Sequence, residues 1–337
     1  MEFRDVSAVP AKHMNHGPKA NWRKTARVAF LVLATQVAVT ATPQPAPGLA
    51  AADSAPPAQI VFLGTGYPRP DPQRQGPALA VVVRGKAYLV DAGVGLVRQA
   101  QAAADRGIDA LQPNKLDIAF ITHLHSDHTL GLPDLILTPW VQQRTFPLEL
   151  FGPSGIGKMA GNILKAYEKD IHIRVSGLEG DNPTGYIVHA HRVRAGLVYQ
   201  DPNVKVTAFA VKHGTWREAY GYRFDTPSKS IVLSGDTAPA DSVVDACQGC
   251  DVMIHEVYSG SGGVPGKDPD AWMKYMAAFH TSAQELGKIA TRARPKRLVL
   301  THYIFLGPSD EAEMVGTIKR EFKGEVFVAR DLDVITP

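Results

Sequence analysis

THLHSDH, residues 122–128, places three histidines and one aspartate within six consecutive positions, His123 to His128. A single imidazole can be a core residue bonded to a backbone carbonyl. Four such groups in a row cannot all be buried cheaply, because every buried polar group needs a partner. The stretch is therefore either a polar loop in water or a binding site. It follows an apolar run, KLDIAFI, that reads as a strand, and it precedes LGLPDLILTPWVQQR, which reads as a helix. In an extended segment residues i and i+2 point the same way. His123 and His125 can thus grip one ion together, while Asp127 and His128, at the turn into the helix, point elsewhere.

Three more apolar runs end in a metal-capable side chain. His213 follows VTAFAVK, Asp236 follows SIVLSG, and His302 follows RLVLT. Each is weak evidence alone. Together with His123 they imply that strand ends converge on one place, as ligand sites do on layered α/β folds. One tetrahedral ion cannot take all of these groups, but two ions can. Histidine and carboxylate without cysteine suit Zn²⁺, with Mn²⁺ or Fe²⁺ as alternatives.

The rest of the chain divides in two. Residues 1–57 open with a polar, basic stretch ending in NWRKTAR, then an apolar run from Val28 to Val39, then the Pro/Ala-rich TATPQPAPGLAAADSAPP. The apolar run falls short of the ~20 residues that span a bilayer. The order fits a signal peptide and linker, which implies a periplasmic or secreted protein. Met14 is an alternative start, and a disordered tail with an accidental apolar patch is the other reading. Residues 1–57 hold six Lys/Arg and three Asp/Glu of totals of 36 and 33, so the body is left with 30 of each. A neutral body lacks the overall basic balance of a dedicated nucleic-acid enzyme.

From residue 58 to 337 strands come in groups with helices interspersed, including helices near 282–294 and 310–322. There is no internal repeat and no second linker, so the body reads as one α/β domain with mixed sheets and no transmembrane stretch. Cys247 and Cys250, in ACQGCD, are too few for a zinc site. They read as two small buried side chains at a turn or as a disulfide.

HLHSDH resembles the HxHxDH signature of the metallo-β-lactamase fold hydrolases. FLGTG, LVDAG and SGDT resemble three further motifs of that family, in the right order, and the likeness extends over about residues 59–337. It implies a four-layer αββα sandwich with mixed sheets. It implies one ion on His123, His125 and His213, a second on Asp127, His128 and His302, and Asp236 bridging the two. Asp91 would hold a ligand histidine through its other ring nitrogen. Hydroxide generated between two zinc ions would attack a small ester, with Asp127 among the catalytic residues. FGPSG, Phe151 to Gly155, lacks the G-x-S-x-G pattern and reads only as a turn.

Within the family the chain resembles the branch that holds ribonuclease Z and the zinc-dependent arylsulfatases. Members that bind tRNA carry a basic insertion between the third histidine and the bridging aspartate. Here His213 to Asp236 has room for only a pair of strands. The last motif, THYIFLG, lacks the serine and arginine that follow the histidine in the ribonucleases, and an export signal leads away from tRNA. The expectation is an arylsulfatase-like sulfuric ester hydrolase acting on a small-molecule ester, with nucleic acid disfavoured. The alternatives are a phosphodiesterase or ribonuclease Z-like endonuclease, a lactonase or β-lactamase, and a non-enzymatic metal-binding module. A homodimer stays open.

One more residue stands out. In FHTSAQE, Ser282 and Glu285 form a capping-box signature that starts a helix, which leaves His280 on the loop before it. The resemblance implies a histidine at this place that donates a proton to the leaving group. A plain loop histidine is the other reading.

The signal reading is checked by N-terminal sequencing of the protein from its native host. The expected mature chain begins between Ala41 and Ala52, where small residues permit cleavage, and is found outside the cytoplasm. An intact residue 1–57 segment on cytoplasmic protein would remove the export reading.

Overall fold

The computed structural model describes residues 57–263 and 266–337. Apart from Pro57, the signal peptide and linker expected at residues 1–57 lie outside the described residues. Strands β1 (Gln59–Gly64), β2 (Ala78–Val83) and β3 (Lys86–Val90) form an antiparallel meander. β4 (Ile118–Phe120), β5 (Leu148–Gly152) and β6 (Val188–Arg192) extend it in parallel, and β14 (Val334–Ile335) closes its other edge, giving the order β14-β1-β2-β3-β4-β5-β6. The second sheet contains β7 (Gly196–Gln200), β8 (Lys205–Ala210), β9 (Tyr220–Asp225), β10 (Ser230–Leu233), β11 (Val252–Gly260), β12 (Arg297–Leu306) and β13 (Glu325–Val328), in the order β13-β12-β11-β10-β9-β8-β7. Its β7 to β10 half is antiparallel and its β10 to β13 half parallel.

The layering follows from which faces are apolar. In β1, Ile60 and Phe62 join a core shared with Tyr222, Phe224, Ile231 and Ile254 of the second sheet. Val61 and Leu63 point the other way, into a core built with α1 (Leu96–Asp105), α2 (Leu132–Val141), α3 (Ile156–Ala166) and α4 (Glu168–Ser176). The outer face of the second sheet packs on α5 (Asp241–Cys247), α7 (Ala283–Ala293) and α8 (Glu311–Glu321). The result is helices, sheet, sheet, helices. Strands buried on both faces read as unbroken apolar runs such as ALAVVV, because neither face can be polar. β2 turns into β3 at Arg84-Gly85, both at positive φ (49° and 78°), a geometry that suits a tight hairpin.

β6, β7, α5 and α6 (Pro269–Phe279) escaped the sequence reading. β6 and β7 are edge strands with half or more of their residues exposed, so VHAHR and GLVYQ show no apolar alternation. α6 is a mostly exposed helix with one fully buried side chain, Met276. Its start was legible: Asp268 accepts a hydrogen bond from the Ala271 N–H at 2.8 Å, and Pro269 occupies the first turn. Cys247, at the end of α5, is joined to Cys250 in a disulfide, the second of the two readings. No helix among the described residues is long and apolar enough to cross a membrane.

One cationic side chain, Arg144, is fully buried beside α2. Pro139 lies inside α2 and has no N–H for the carbonyl of Leu135, four residues earlier. The Arg144 guanidinium donates to that carbonyl at 3.1 Å, and also to Ile136, Leu116 and Gly185. Gly185 is needed for the approach, since a Cβ there would meet the Arg144 carbonyl at 1.8 Å. Arg144→Met is expected to lower stability by about 3 kcal/mol or more, because buried acceptors lose their donors. A denaturant midpoint shifted down at constant slope would show it, and an unchanged midpoint would refute it.

Candidate metal centre

The residues singled out in the sequence meet at one end of the two sheets. His123 and His125 leave the end of β4, and Ser126 to His128 form a single 3₁₀ turn that reverses the chain. His213 comes from the loop after β8, and Asp236 from the turn after β10. His302 is delivered differently from what its sequence suggested. β12 does not end there but continues to Leu306, and the register against β11 slips so that Thr301 pairs with Glu256 and Tyr303 with Val257. His302 is the extra residue of a bulge, at φ 46°. A bulge re-aims one side chain without ending the ladder.

Two groups of donors result. His123 Nε2 and His213 Nε2 each lie 3.0 Å from His125 Nδ1. Beside them, Asp127 Oδ2 lies 3.4 Å from His128 Nε2 and 3.3 Å from His302 Nε2. Asp236 Oδ2 stands between the groups, 3.4 Å from both His128 Nε2 and His302 Nε2 and 4.0 Å from His123 Nε2. These groupings have the spacing of metal-binding clusters.

The outer contacts fix which ring nitrogens face inward. His213 Nδ1 lies 2.8 Å from the Phe279 carbonyl, an acceptor only, so Nδ1 carries the proton and Nε2 presents its lone pair. His128 Nδ1 donates to Asp91 Oδ2 at 2.8 Å. Thr122 donates its hydroxyl to Asp91 and in turn accepts from His123 Nδ1 at 3.1 Å. One carboxylate, Asp91, thereby sets two of the rings, as carboxylates behind metal-ligating histidines do. His128 Nε2 is buried, has no hydrogen-bond partner among the described residues, and faces two carboxylates. A bare lone pair cannot rest there without a cation between. Nitrogen and carboxylate donors at this spacing, with no thiolate, fit two zinc-like ions.

The electrostatics agree. Burial holds the imidazoles of His123 and His125 below the usual histidine range and brings His213 down to about 4, so these rings stay neutral and able to ligate. His128 moves the other way. Burial opposes its charge, but Asp236, Asp91 and Asp127 outweigh that and pull a proton onto it. Burial likewise opposes the charge on Asp236, yet His302 and His128 keep its carboxyl well below the usual range. A field that draws a proton into this position would also hold a metal ion.

All eight residues expected at the centre, the seven candidate ligands and Asp91, are brought together. His280 joins them: it caps the C-terminus of α6, is only 6% exposed, and places Nδ1 3.9 Å from Asp236 Oδ2. The loop position read from the sequence is thus a buried junction between α6 and α7, not a solvated loop. The sequence reading missed its partner, Glu256, whose Oε2 lies 3.3 Å from His280 Nδ1. Glu256 is 1% exposed and accepts from the Thr281 N–H at 2.8 Å. Its signal was the same as for the others, a polar residue after an apolar strand in DVMIHE. Trp216 was also missed: its indole stands edge-on to His125 with ring centroids 4.9 Å apart.

Residues 86–303 match the beta-lactamase superfamily domain. A protein named ribonuclease Z from Mycobacterium bovis (strain BCG / Pasteur 1173P2) is 33% identical over 278 residues, covering 81% of this chain and 96% of the relative. Human tRNase Z, short form, is similar in structure with a TM-score of 0.58 and 26% identity, covering 83% of this chain and 99% of that one. The metallo-beta-lactamase fold protein YhfI from Bacillus subtilis reaches a TM-score of 0.61 at 18% identity, with coverage of 83% and 99%, a likeness of fold. The layered sheets, the clustered histidines and aspartates, and these relatives lead to one conclusion: the chain belongs to the metallo-β-lactamase fold family of metal-dependent hydrolases, in the company of ribonuclease Z homologues.

Proposed function

We propose that the protein is a metal-dependent phosphodiesterase of the ribonuclease Z-like kind. One juxtaposition carries the reading: two donor groups share the buried Asp236, and a histidine backed by a carboxylate, His280 with Glu256, borders both. Relatives named ribonuclease Z support it and move the phosphodiester alternative ahead of the sulfate-ester expectation. They also weigh against setting nucleic acid aside. His123, His125 and His213 would hold one ion and Asp127, His128 and His302 the other, with Asp236 between. Ions held in such a pair polarise a phosphoryl oxygen and make a nucleophile from water near neutral pH.

The chain's own contribution to bond breaking is His280. Burial works against its charge, but Glu256 raises its proton affinity above the usual histidine range. That raised affinity favours the protonated ring, beside the place where an ester oxygen would depart. Glu256 positions the ring and is itself fixed by the N–H groups of Thr281 and Thr237.

One observation favours a second reading, a small sulfate ester. The segment from His213 to Asp236 contains only β9, β10 and short turns, with no inserted module for a large RNA. A panel separates the two: bis(p-nitrophenyl) phosphate, p-nitrophenyl phosphate, sulfate and carboxylate esters, nitrocefin, and a pre-tRNA with a 3′ trailer. The expected result is fastest turnover of the phosphodiester, abolished by chelator. Faster turnover of the sulfate ester would overturn the proposal.

Purified protein is expected to carry about two equivalents of metal per chain, as a paired site requires, and Asp236→Ala less than half of that. Elemental analysis checks both, and an active protein without metal would defeat the assignment. His280→Ala is expected to keep the metal and to lower kcat by about 10²–10⁴-fold for alkyl leaving groups, the usual worth of a general acid. For p-nitrophenyl leaving groups, which scarcely need a proton, the loss is expected to be less than about tenfold. Equal losses across a leaving-group series would exclude the general-acid role.

A further inference from the structure

Beside the metal centre lies a cavity of about 310 Å³ that the reaction described above does not use. Its walls are Tyr67, Trp272, Tyr275, Ile304 and Leu306, and His280 lies at its inner end. These apolar residues belong to a small cluster separate from the three layer cores. Trp272, Tyr275 and Phe279 sit three and four residues apart on α6 and therefore share one face. Their rings stack in series, Trp272 on Tyr275 at 5.0 Å and Tyr275 on Phe279 at 4.3 Å. Phe279 then meets the edge of the His213 ring at 5.0 Å. On the opposite wall, the Tyr67 ring stands 6.5 Å from that of His302. A half-buried aromatic ladder thus runs along α6 to His213 of one donor group, while Tyr67 across the cavity meets His302 of the other.

Packing alone does not account for this ladder. Trp272 and Tyr275 are only partly buried, and the Trp272 indole N–H is shielded from solvent without a hydrogen-bond partner among the described residues. A buried donor left unpaired is costly and uncommon. Positive charge stands at the mouth: Arg69 lines the cavity, and Lys267 Nζ lies 4.7 Å from the Trp272 ring. Flat apolar walls, room for one or two fused rings, and cations at the rim suit an aromatic group attached to an anion.

We infer that this cavity is the subsite for a flat aromatic ring carried on the departing oxygen of the ester. A plain aryl group and a nucleobase both match this lining of aromatic rings, Ile304 and Leu306, which buries apolar ring surface. The inference rests on the proposed hydrolase reading for one point, that the reacting centre sits at Asp236. From there an ester reaches the cavity past His280, which borders both spaces. Trp272, Tyr275 and Ile304 then decide which esters are accepted, while the ligand residues decide what is done to them.

Calorimetric titration of the zinc-loaded protein with methyl phosphate, phenyl phosphate and adenosine 5′-monophosphate tests this. The expected result is at least about tenfold tighter binding of a ring-bearing phosphate than of methyl phosphate, the scale of burying one apolar ring. Gain with phenyl phosphate alone identifies an aryl group as the ring; gain with the nucleotide identifies a base. Trp272→Ala, on the partly exposed helix, is expected to bring the phenyl-to-methyl affinity ratio close to one. Ile304→Trp, which fills the cavity, should do the same. Methyl and phenyl sulfate give the same ratio on another anion. A ring gain on sulfate with no binding of any phosphate keeps the subsite and removes the phosphodiesterase reading. No ring gain on either anion, or a gain that survives both substitutions, overturns the subsite.

Discussion

Everything in this fold that bears on function is arranged around one buried carboxylate oxygen, Asp236 Oδ2. It lies within 4.0 Å of ring nitrogens from His123, His128, His280 and His302. The first two come from the loop after β4 in one sheet; the other two come from the second sheet and from the junction of α6 and α7. An isolated carboxylate at 3% exposure would be costly, and so would each buried imidazole beside it. The costs offset only if all are assembled together. That requirement makes the meeting of the two sheets at this end a condition of the site rather than a background to it.

The assembly is secured from behind. Asp91 takes hydrogen bonds from Thr122 and His128, and through Thr122 it also sets the His123 ring. The last carbonyl of α6 sets His213, and Glu256 sets His280. Each of these partners has its own fixed place, so the inward nitrogens have little freedom left. Donors held in position before an ion arrives are what a tight site needs, because little ordering remains to be done on binding.

The same helix, α6, also bears on selectivity. Its terminal carbonyl orients a candidate metal ligand, its following residue is His280, and its aromatic face lines the adjoining cavity. Chemistry and substrate choice therefore share one element. The hairpin of β9 and β10, where a nucleic-acid arm would be inserted, is plain. Relatives named ribonuclease Z and this compact hairpin together define the problem of substrate size that the proposed phosphodiesterase poses.

Much of this was determined by the sequence itself. The unbroken apolar runs of β1 to β3 announce strands covered on both faces, since such segments are stable only in a layered sandwich. HxHxDH and the polar residues after β8 and β10 announce a ligand site, because nothing else repays so many imidazoles and carboxylates at buried strand ends. The relation between residues far apart in the chain was left to the tertiary structure. His302 reaches the centre through a bulge set by pairing with β11, which no local pattern in RLVLTHYIFL encodes. Glu256 matters only because folding brings His280 beside it. The aromatic residues of α6 do recur at helical spacing, but the wall that faces them, Tyr67 and Ile304, is brought there only by folding. Local residue types fix which strands and donors exist; only the packing of two sheets fixes which donors share an ion and what lies next to them.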